Sequence, residues 1–312
     1  MNPTDADAIR LAHFSDIHVT AADCAWRPRD WFGKRMSAWI NLRLLGRGLH
    51  FRHTDQILAA LADELRGRAF HRIVFSGDAT AMGFEEEVRR AAHLLGVGAA
   101  ESLPGLAVPG NHDYCTHASM RGGHFEKHFA PWQVGERVSD TVYPFAQRVG
   151  PAWLVAVNSA TVNRWAWDAR GAVGATQLEH LEILLAHLDA GPRILVTHYP
   201  VWLANGQPEL RWHGLRDLHD LVSVARRGGV VLWLHGHRHD AYHHHPSERI
   251  PFPVICAGSA TQHGRWSYSD YTLTGRRLRV VQRVYDRAEG RFRDGRIFEL
   301  ELPTHGDPER GA

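Results

Sequence analysis

The sequence predicts an α/β fold, in which short buried strands alternate with helices along the chain. Short apolar runs recur through the first half, and stretches with the spacing of a helical apolar face separate them. Aspartate, asparagine or histidine follows several of these runs at the point where a strand would end. The composition agrees with a globular protein, since 44% of the 312 residues are hydrophobic and 22% are charged.

The first strand is predicted over residues 9–14, just before Asp16 and His18. In an extended backbone, side chains two residues apart point to the same side. This carboxylate and this imidazole would therefore converge, as metal ligands do. The alternative interpretation is a turn that begins at Asp16 and a histidine with no particular role.

Residues 24–53 differ from the rest of the chain and are interpreted as an insertion. They hold seven Lys or Arg residues against one acid, Asp30, and they are rich in Trp and Phe. Such a mixture suits a lid over a site, or an arm that contacts anionic lipid with its cations and the headgroup layer with its aromatic rings. The alternative is a solvated insertion that packs its tryptophans on the body of the protein.

A helix within this insertion would have one apolar face, formed by Phe32, Met36, Ile40 and Leu44. Two arginines of the insertion, Arg43 and Arg47, fall within the same arc. The predicted amphipathic character is therefore imperfect.

A helix, a strand and a second helix are predicted after the insertion. Apolar residues at helical spacing begin after Thr54. Either Thr54 or the following Asp55 would cap this first helix. Residues 72–75 predict a strand that leads to Asp78, and residues 85–95 predict the second helix. Asp78 thus repeats the arrangement of Asp16, with a carboxylate just beyond the end of a strand.

The next predicted strand, 106–108, leads to Gly110-Asn111-His112-Asp113. A glycine at this point permits a tight turn, so that an amide oxygen and an imidazole can face one small volume. In this interpretation Asn111 holds a metal and His112 handles a proton. An ordinary polar turn is the alternative.

The second half of the chain is predicted to contain strands at 141–149, 153–158, 193–197 and 229–234, a loop at 165–174, and helices at 177–188 and 215–225. The third of these strands leads to His198, although a lone histidine there is also typical of a structural residue. The fourth leads to His237 and His239, whose spacing repeats that of the first motif. Gly236 before them permits close approach of the backbone to a ligand.

Further strands are predicted at 253–257 and 268–285, where they would complete a second sheet. With no linker in sight, we expect a single domain over 9–285 that carries the insertion at 24–53. Residues 286–312 are expected to form a strand extension and a tail that is frayed from Pro303 onward.

Composition limits the possible partners and location. The formal charge of +2 gives no signature of a nucleic-acid-binding protein. The start has no apolar signal segment, and no apolar run is long enough to span a bilayer. We therefore expect a cytoplasmic protein, with peripheral membrane contact through residues 24–53 left open. The three cysteines are expected to be reduced, and the 23 histidines favour metal or proton chemistry.

Taken in order, the motifs Asp-x-His, Gly-Asp, Gly-Asn-His-Asp, His and Gly-His-x-His resemble those of the calcineurin-like metallophosphoesterase superfamily over residues 16–239. The resemblance implies a four-layer α/β/β/α sandwich with two metal ions. It assigns one ion to Asp16, His18 and His239. It assigns the other to Asn111, His198 and His237, and makes Asp78 the bridge between them.

Carboxylate, amide and imidazole ligands suit Mn, Fe or Zn better than Ca or thiophilic ions. In such a site, a hydroxide that bridges two ions would attack the phosphorus in line. His112 would protonate the leaving oxygen or brace the phosphoryl group, and Asp113 would orient His112. The resemblance therefore implies a metal-dependent phosphoric ester hydrolase.

The pattern departs from the phosphoprotein phosphatases of this superfamily, because no Asp-Arg pair follows Gly77-Asp78. The motifs look more like those of bacterial phosphodiesterases of small molecules and cyclic nucleotides, and a nucleic-acid substrate is not expected. One alternative is a membrane-surface UDP-2,3-diacylglucosamine pyrophosphatase of lipid A synthesis, for which residues 24–53 would receive the acyl-bearing substrate. A non-catalytic scaffold of the same fold is disfavoured, because every expected ligand type is present.

Overall fold

Two six-stranded sheets form the centre of the structure, a computed structural model that describes residues 8–101, 103–163, 165 and 167–304. The strands in chain order are β1 (Ile9–Phe14), β2 (Arg72–Phe75), β3 (Gly105–Ala107), β4 (Phe145–Val149), β5 (Ala152–Ala156), β6 (Arg193–Val196), β7 (Val230–His235), β8 (Ala241–His244), β9 (Val254–Ala257), β10 (Ser267–Thr274), β11 (Arg277–Asp286) and β12 (Arg291–Glu301). The order in the first sheet is β12-β11-β10-β1-β2-β3, and in the second it is β4-β5-β6-β7-β9-β8.

The helices in chain order are α1 (Lys34–Arg43), α2 (Arg47–His50), α3 (Thr54–Arg66), α4 (Glu85–Leu94), α5 (His117–Arg121), α6 (His124–Phe129), α7 (Ala175–His187) and α8 (Leu218–Arg227). No helix in the described ranges is long and apolar enough to cross a bilayer. The predicted frayed end lies largely outside these ranges, as does most of the segment in which a secretory signal was sought.

The buried apolar side chains form three separate cores between four layers of structure. A core between the two sheets holds Leu11 and Val74 of the first sheet and Leu154 and Leu234 of the second. Helices α3, α4 and α6 pack on the outer face of the first sheet. Helices α7 and α8 pack on the outer face of the second. This arrangement is the predicted α/β/β/α sandwich, with parallel strands β1, β2 and β3 in one sheet and β5, β6, β7 and β9 in the other.

The predicted place of the strands at 268–285 was wrong. Strands β10 and β11 form a hairpin in the first sheet, where β10 pairs antiparallel with β1 from Ile9 opposite Leu273 onward. Because of this pairing, β1 lies inside its sheet, between β10 and β2, rather than at an edge. Strand β12 then pairs with β11 and becomes the outer edge of the sheet.

Some predicted boundaries also differ from the structure. Residues 141–144 precede β4 rather than extend it, because the ladder between β4 and β5 begins at Phe145 opposite Ala156. His53 occupies the N-cap position of α3 without a capping hydrogen bond from its side chain. Thr54 is the first helical residue, and its hydroxyl donates to the Phe51 carbonyl.

The insertion folds into a 3-10 helix (Pro28–Phe32), α1 and α2. Helix α1 turns Trp39 and Leu42 inward against Met82 and Phe84. The apolar face predicted from the sequence is largely turned to solvent, since Phe32 is 93% exposed and Leu44, just beyond α1, is 68% exposed. The insertion therefore packs one set of apolar residues on the body and presents another set to solvent.

Candidate metal centre

The candidate ligands lie just beyond the carboxyl ends of parallel strands, where the chain takes an unusual backbone conformation. The five non-glycine residues with positive φ in the described ranges are Asp16 (55°), His18 (42°), Asp78 (57°), His237 (74°) and His239 (59°). The left-handed region is costly for side chains other than glycine, and such strain concentrates at functional sites. The predicted extended backbone between Asp16 and His18 was therefore wrong. The left-handed backbone at both residues, rather than strand pleating, brings the two side chains together.

One group of donors gathers around Asp16. Its Oδ1 atom lies 3.1 Å from His239 Nε2. His18 Nε2 is 3.1 Å from His239 Nε2 and 3.7 Å from Asp78 Oδ2. The two imidazoles direct their Nε2 atoms into the same small volume. Two ligands of one ion would be arranged in this way.

A second group gathers on the other side of Asp78. Asn111 Oδ1 lies 2.9 Å from His237 Nδ1 and 3.2 Å from His198 Nε2. Asp78 Oδ2 is 3.5 Å from His198 Nε2. The same carboxylate oxygen thus faces a histidine of each group, which is the position a bridging ligand would need.

The donors fit metal cations. Asp16 Oδ1 is buried and has no hydrogen-bond partner among the described residues. Burial raises the pKa of the Asp78 carboxyl most, and the negative charge of Asp16 raises it further. Bound cations would therefore stabilise the two carboxylates in their ionised form. Burial lowers the pKa of His18 and of His237, which keeps these imidazoles neutral, as metal ligation requires. Donor atoms of Asp16, Asp78 and His198 lie within 4.8 Å of one another.

Hydrogen bonds on the far side of the rings fix their orientation. His18 Nδ1 lies 3.1 Å from the Thr80 carbonyl oxygen, and His198 Nδ1 lies 2.8 Å from that of Ser76. A carbonyl can only accept, so each Nδ1 carries the proton and each Nε2 presents its lone pair to the centre. His239 Nδ1 donates in the same way to Gln262 Oε1. Gln262 was not singled out from the sequence, where nothing distinguishes it from other polar loop residues.

The glycines of two motifs make room for the carboxylates. A Cβ atom on Gly110 would collide with the Asp78 carboxylate, and one on Gly236 would collide with the Ser15 hydroxyl and crowd Asp16. Gly236 thus permits the predicted close approach. Gly110 does not have a positive φ, so a glycine is needed there because a side chain would not fit, rather than for its backbone conformation.

His112 faces the centre, whereas Asp113 does not act on it. His112 Nδ1 donates to the Ala81 carbonyl oxygen at 2.8 Å. The Asp113 carboxylate instead accepts the backbone N–H groups of Thr80 and Gly110, at 3.0 and 2.8 Å. The predicted orientation of His112 by Asp113 was therefore wrong. Asp113 is buried beneath the loops and joins the turn after Asp78 to the turn that carries Asn111.

A cavity of about 430 Å³ opens beside these residues, and it contains a side chain that the sequence did not identify. Arg47, from the insertion, lines it together with Asp78, Asn111 and His112. Its Nη2 atom lies 3.2 Å from His112 Nε2. An arginine can only donate, so His112 Nε2 accepts this hydrogen bond.

Residues 9–241 match the sequence model of the calcineurin-like phosphoesterase family. This span is most of the chain and contains every residue of both donor groups, and it confirms the resemblance inferred from the motifs. No curated protein sequence matches the chain at a significant level.

Solved structures share the fold at low sequence identity. A dimetal phosphatase from Danio rerio is 14% identical with a TM-score of 0.65, and the match covers 95% of this chain and 99% of that one. A purple acid phosphatase from yellow lupin (Lupinus luteus) seeds is 15% identical with a TM-score of 0.58, and the match covers 94% of this chain and 54% of that one. These similarities confirm the α/β fold of two packed sheets.

Proposed function

We propose, because the chain belongs to the calcineurin-like phosphoesterase family, that it is a metal-dependent hydrolase of small phosphodiester or nucleotide substrates. The observation that carries the proposal is the pair of donor groups on either side of Asp78. One group comprises Asp16, His18 and His239, and the other comprises Asn111, His198 and His237. Two such groups with a shared carboxylate suit a dinuclear site of Mn, Fe or Zn ions.

When bound, the two ions would supply a Lewis acid for the phosphoryl oxygens and lower the pKa of a water molecule. The chain itself supplies orientation and proton transfer. His112 presents Nε2 to the cavity, with its other ring nitrogen fixed on Ala81. Because Nε2 holds a lone pair while it accepts from Arg47, His112 must first take up a proton at that atom. The resulting imidazolium can donate this proton to the leaving oxygen, a role that typically contributes about 10²- to 10⁴-fold in rate.

The cavity favours a small substrate. Its volume of about 430 Å³ lies in the range of small-molecule sites, and polar side chains such as Thr161 and Asn163 form part of its wall. The loop after Asp78 lacks the Asp-Arg pair of the phosphoprotein phosphatases. Both features support a small phosphodiester over a phosphoprotein.

Hydrolysis of a substrate panel by Mn-loaded protein tests this proposal. The panel comprises bis-p-nitrophenyl phosphate, p-nitrophenyl phosphate and cyclic AMP, each with and without a chelator. We expect the diesters to be cleaved faster than the monoester, and the chelator to abolish cleavage. Preference for the monoester would contradict the phosphodiesterase type. A protein that holds two ions per chain but cleaves nothing would support the scaffold alternative.

A second cavity favours the alternative substrate, a nucleotide-linked lipid. It has a volume of about 1180 Å³ and lies on the other side of α1, between the insertion and the body. Apolar side chains including Trp26, Trp39 and Leu49 line it, and so does His18 of the metal centre. An acyl chain could lie there while a pyrophosphate occupies the metal centre, as UDP-2,3-diacylglucosamine would require.

The exposed apolar residues of the insertion support membrane contact for that substrate. Leu44 and Leu45 are 68% and 70% exposed and lie near Arg43. Their replacement by serine should weaken binding to vesicles of anionic phospholipid and slow cleavage of UDP-2,3-diacylglucosamine. Val134, 69% exposed and outside the insertion, provides the matched control Val134→Ser. No cleavage of the UDP-lipid, or unchanged vesicle binding by the Leu44 and Leu45 variant, would exclude this alternative.

A further inference from the structure

Arg47 reaches the metal centre from the insertion rather than from a strand end. It begins α2, immediately after Gly46, whose φ of 81° turns the chain back toward the body. The neighbouring Gly48 lines the larger cavity, whereas Arg47 lines the smaller one beside Asp78. The turn between α1 and α2 is thus part of the wall between the two cavities, and it directs one cation into the candidate site.

The guanidinium of Arg47 has no carboxylate partner among the residues that the structure describes. Its side chain makes one hydrogen bond there, from Nη2 to His112 Nε2. Asp78 and Asp16 are near enough to attract its charge without forming an ion pair. A guanidinium offers five N–H donors in a planar fork, so Arg47 brings unused donors into the cavity.

Other cations at this cavity have partners of their own. Arg238 pairs with Glu209 at 3.3 Å, and Lys34 donates to the Asp168 carbonyl oxygen at 2.8 Å. Both residues line the same cavity. Arg47 differs from them, because its hydrogen-bond partner among the described residues is His112, a residue of the candidate active site.

The loop after Asp78 contributes no cation to the same place. Residues 79–82 are Ala-Thr-Ala-Met, and all four are buried. A phosphoryl group at Asp78 would carry negative charge on its non-bridging oxygens. That charge grows as the attacking oxygen approaches, and fixed N–H donors stabilise it most in a partly desolvated site.

We propose that Arg47 binds the non-bridging oxygens of the substrate's phosphoryl group, as a clamp supplied by the insertion. This inference rests on the proposed function, because its ligand is a phosphoryl group. Arg47 exchanges its hydrogen bond with His112 for bonds to the phosphoryl oxygens. The exchange frees the Nε2 lone pair of His112 to take up a proton from solvent, which the imidazolium then donates to the leaving oxygen, so that substrate binding prepares both residues.

Binding of inorganic phosphate tests the clamp without relying on turnover. Titration calorimetry would compare Mn-loaded wild type with Arg47→Ala, Arg47→Lys and Arg29→Ala, after the metal content of each has been measured. We expect Arg47→Ala to keep its metal and bind phosphate about tenfold or more weakly. Arg47→Lys should be intermediate, because an ammonium cannot make the paired bonds of the fork. Arg29 is an exposed cation of the same insertion, and Arg29→Ala should match wild type.

Steady-state kinetics give the second readout. Arg47→Ala should lose about 100-fold in kcat/KM for bis-p-nitrophenyl phosphate, and added guanidinium chloride should restore part of this loss. Wild-type phosphate affinity in a metal-loaded Arg47→Ala protein would overturn the clamp, and so would loss of metal from that variant. A wild-type protein that cleaves no phosphoester, yet needs Arg47 to bind phosphate, would refute the proposed function and leave the clamp standing.

Discussion

The loops of the candidate metal centre and the insertion 24–53 meet at one cavity, but different contacts hold them. The loops are joined by main-chain hydrogen bonds, such as Asp16 N to Gly77 O at 2.9 Å and His18 N to Asp78 O at 3.1 Å. The insertion is attached largely by side chains, with Arg35 at the centre of the contact. The geometry of the centre is therefore part of the fold, whereas that of the insertion can change while the sheets stay intact. We expect changes in the loops to affect metal binding and chemistry, and changes in the insertion to affect substrate binding.

The largest effect is expected at Asp78. Asp78→Asn removes the charge that both donor groups share, so the metal content should fall and kcat/KM should drop by about 10³-fold or more. Atomic absorption and hydrolysis of bis-p-nitrophenyl phosphate would measure the two effects. Asp63→Asn makes the same chemical change on the exposed surface of α3 and should leave both unchanged. Full metal content and activity in Asp78→Asn would refute the assignment of both donor groups.

His112→Asn should separate chemistry from metal binding. His112 contacts Ala81 and Arg47 through its two ring nitrogens and is not assigned to either ion. We therefore expect two ions per chain and a decrease of about 10²- to 10⁴-fold in kcat. His219, on the surface of α8, is 98% exposed and provides the control His219→Asn. A fully active His112→Asn would mean that the imidazole has no role in the reaction.

Arg35→Met should loosen the insertion and spare the metal centre. The Arg35 guanidinium binds Asp30 Oδ1 at 3.0 Å and the Gly83 carbonyl oxygen at 2.7 Å, and it is stacked on Phe84. Its loss would leave Asp30 buried without its cation, a change that costs about 3–5 kcal/mol in comparable sites. We expect proteolytic cleavage within residues 24–53, unchanged metal content and a rise in KM of roughly tenfold.

The control for this experiment is Arg66→Met, which breaks the exposed ion pair with Asp63. Such pairs contribute at most about 1 kcal/mol, so the protease pattern should stay that of wild type. Loss of metal from Arg35→Met would show that the insertion also supports the centre, and the contrast between the two regions would then be wrong.

The contrast also separates what the sequence could predict from what it could not. The residues assigned to the candidate metal centre stand out in the sequence because each follows a short apolar strand in its own local motif, as Asp78 follows β2. The left-handed backbone at Asp16 and His18 was not predictable. It arises where the turn after β1 pairs with the turn after β2, and these turns are far apart in the chain.

Non-local contacts also decided the features of the insertion and of the last strands. Arg47 is one of seven basic residues between 24 and 53, and nothing in their local sequence indicates that Arg47 and Lys34 line the cavity. Likewise, the apolar alternation of 268–285 predicts strands but carries no information about which sheet they join. Besides β11, β10 pairs with β1, which lies more than 250 residues away in sequence.

The smallest change that tests the difference between the loops and the insertion is the addition of one methyl group at Gly48. A Cβ atom there would lie 2.5 Å from the Leu42 carbonyl oxygen, which belongs to the backbone of α1 and cannot move alone. Gly48→Ala should therefore shift the turn that carries Arg47 and weaken phosphate binding by a few-fold, with metal content and the thermal midpoint nearly unchanged. Gly33→Ala is the matched control, because a Cβ at the start of α1 would have its nearest neighbour at 3.8 Å and Gly33 has negative φ. Equal phosphate affinity in the two variants would mean that the exact position of the turn does not matter, and that Arg47 reaches the cavity through side-chain freedom alone.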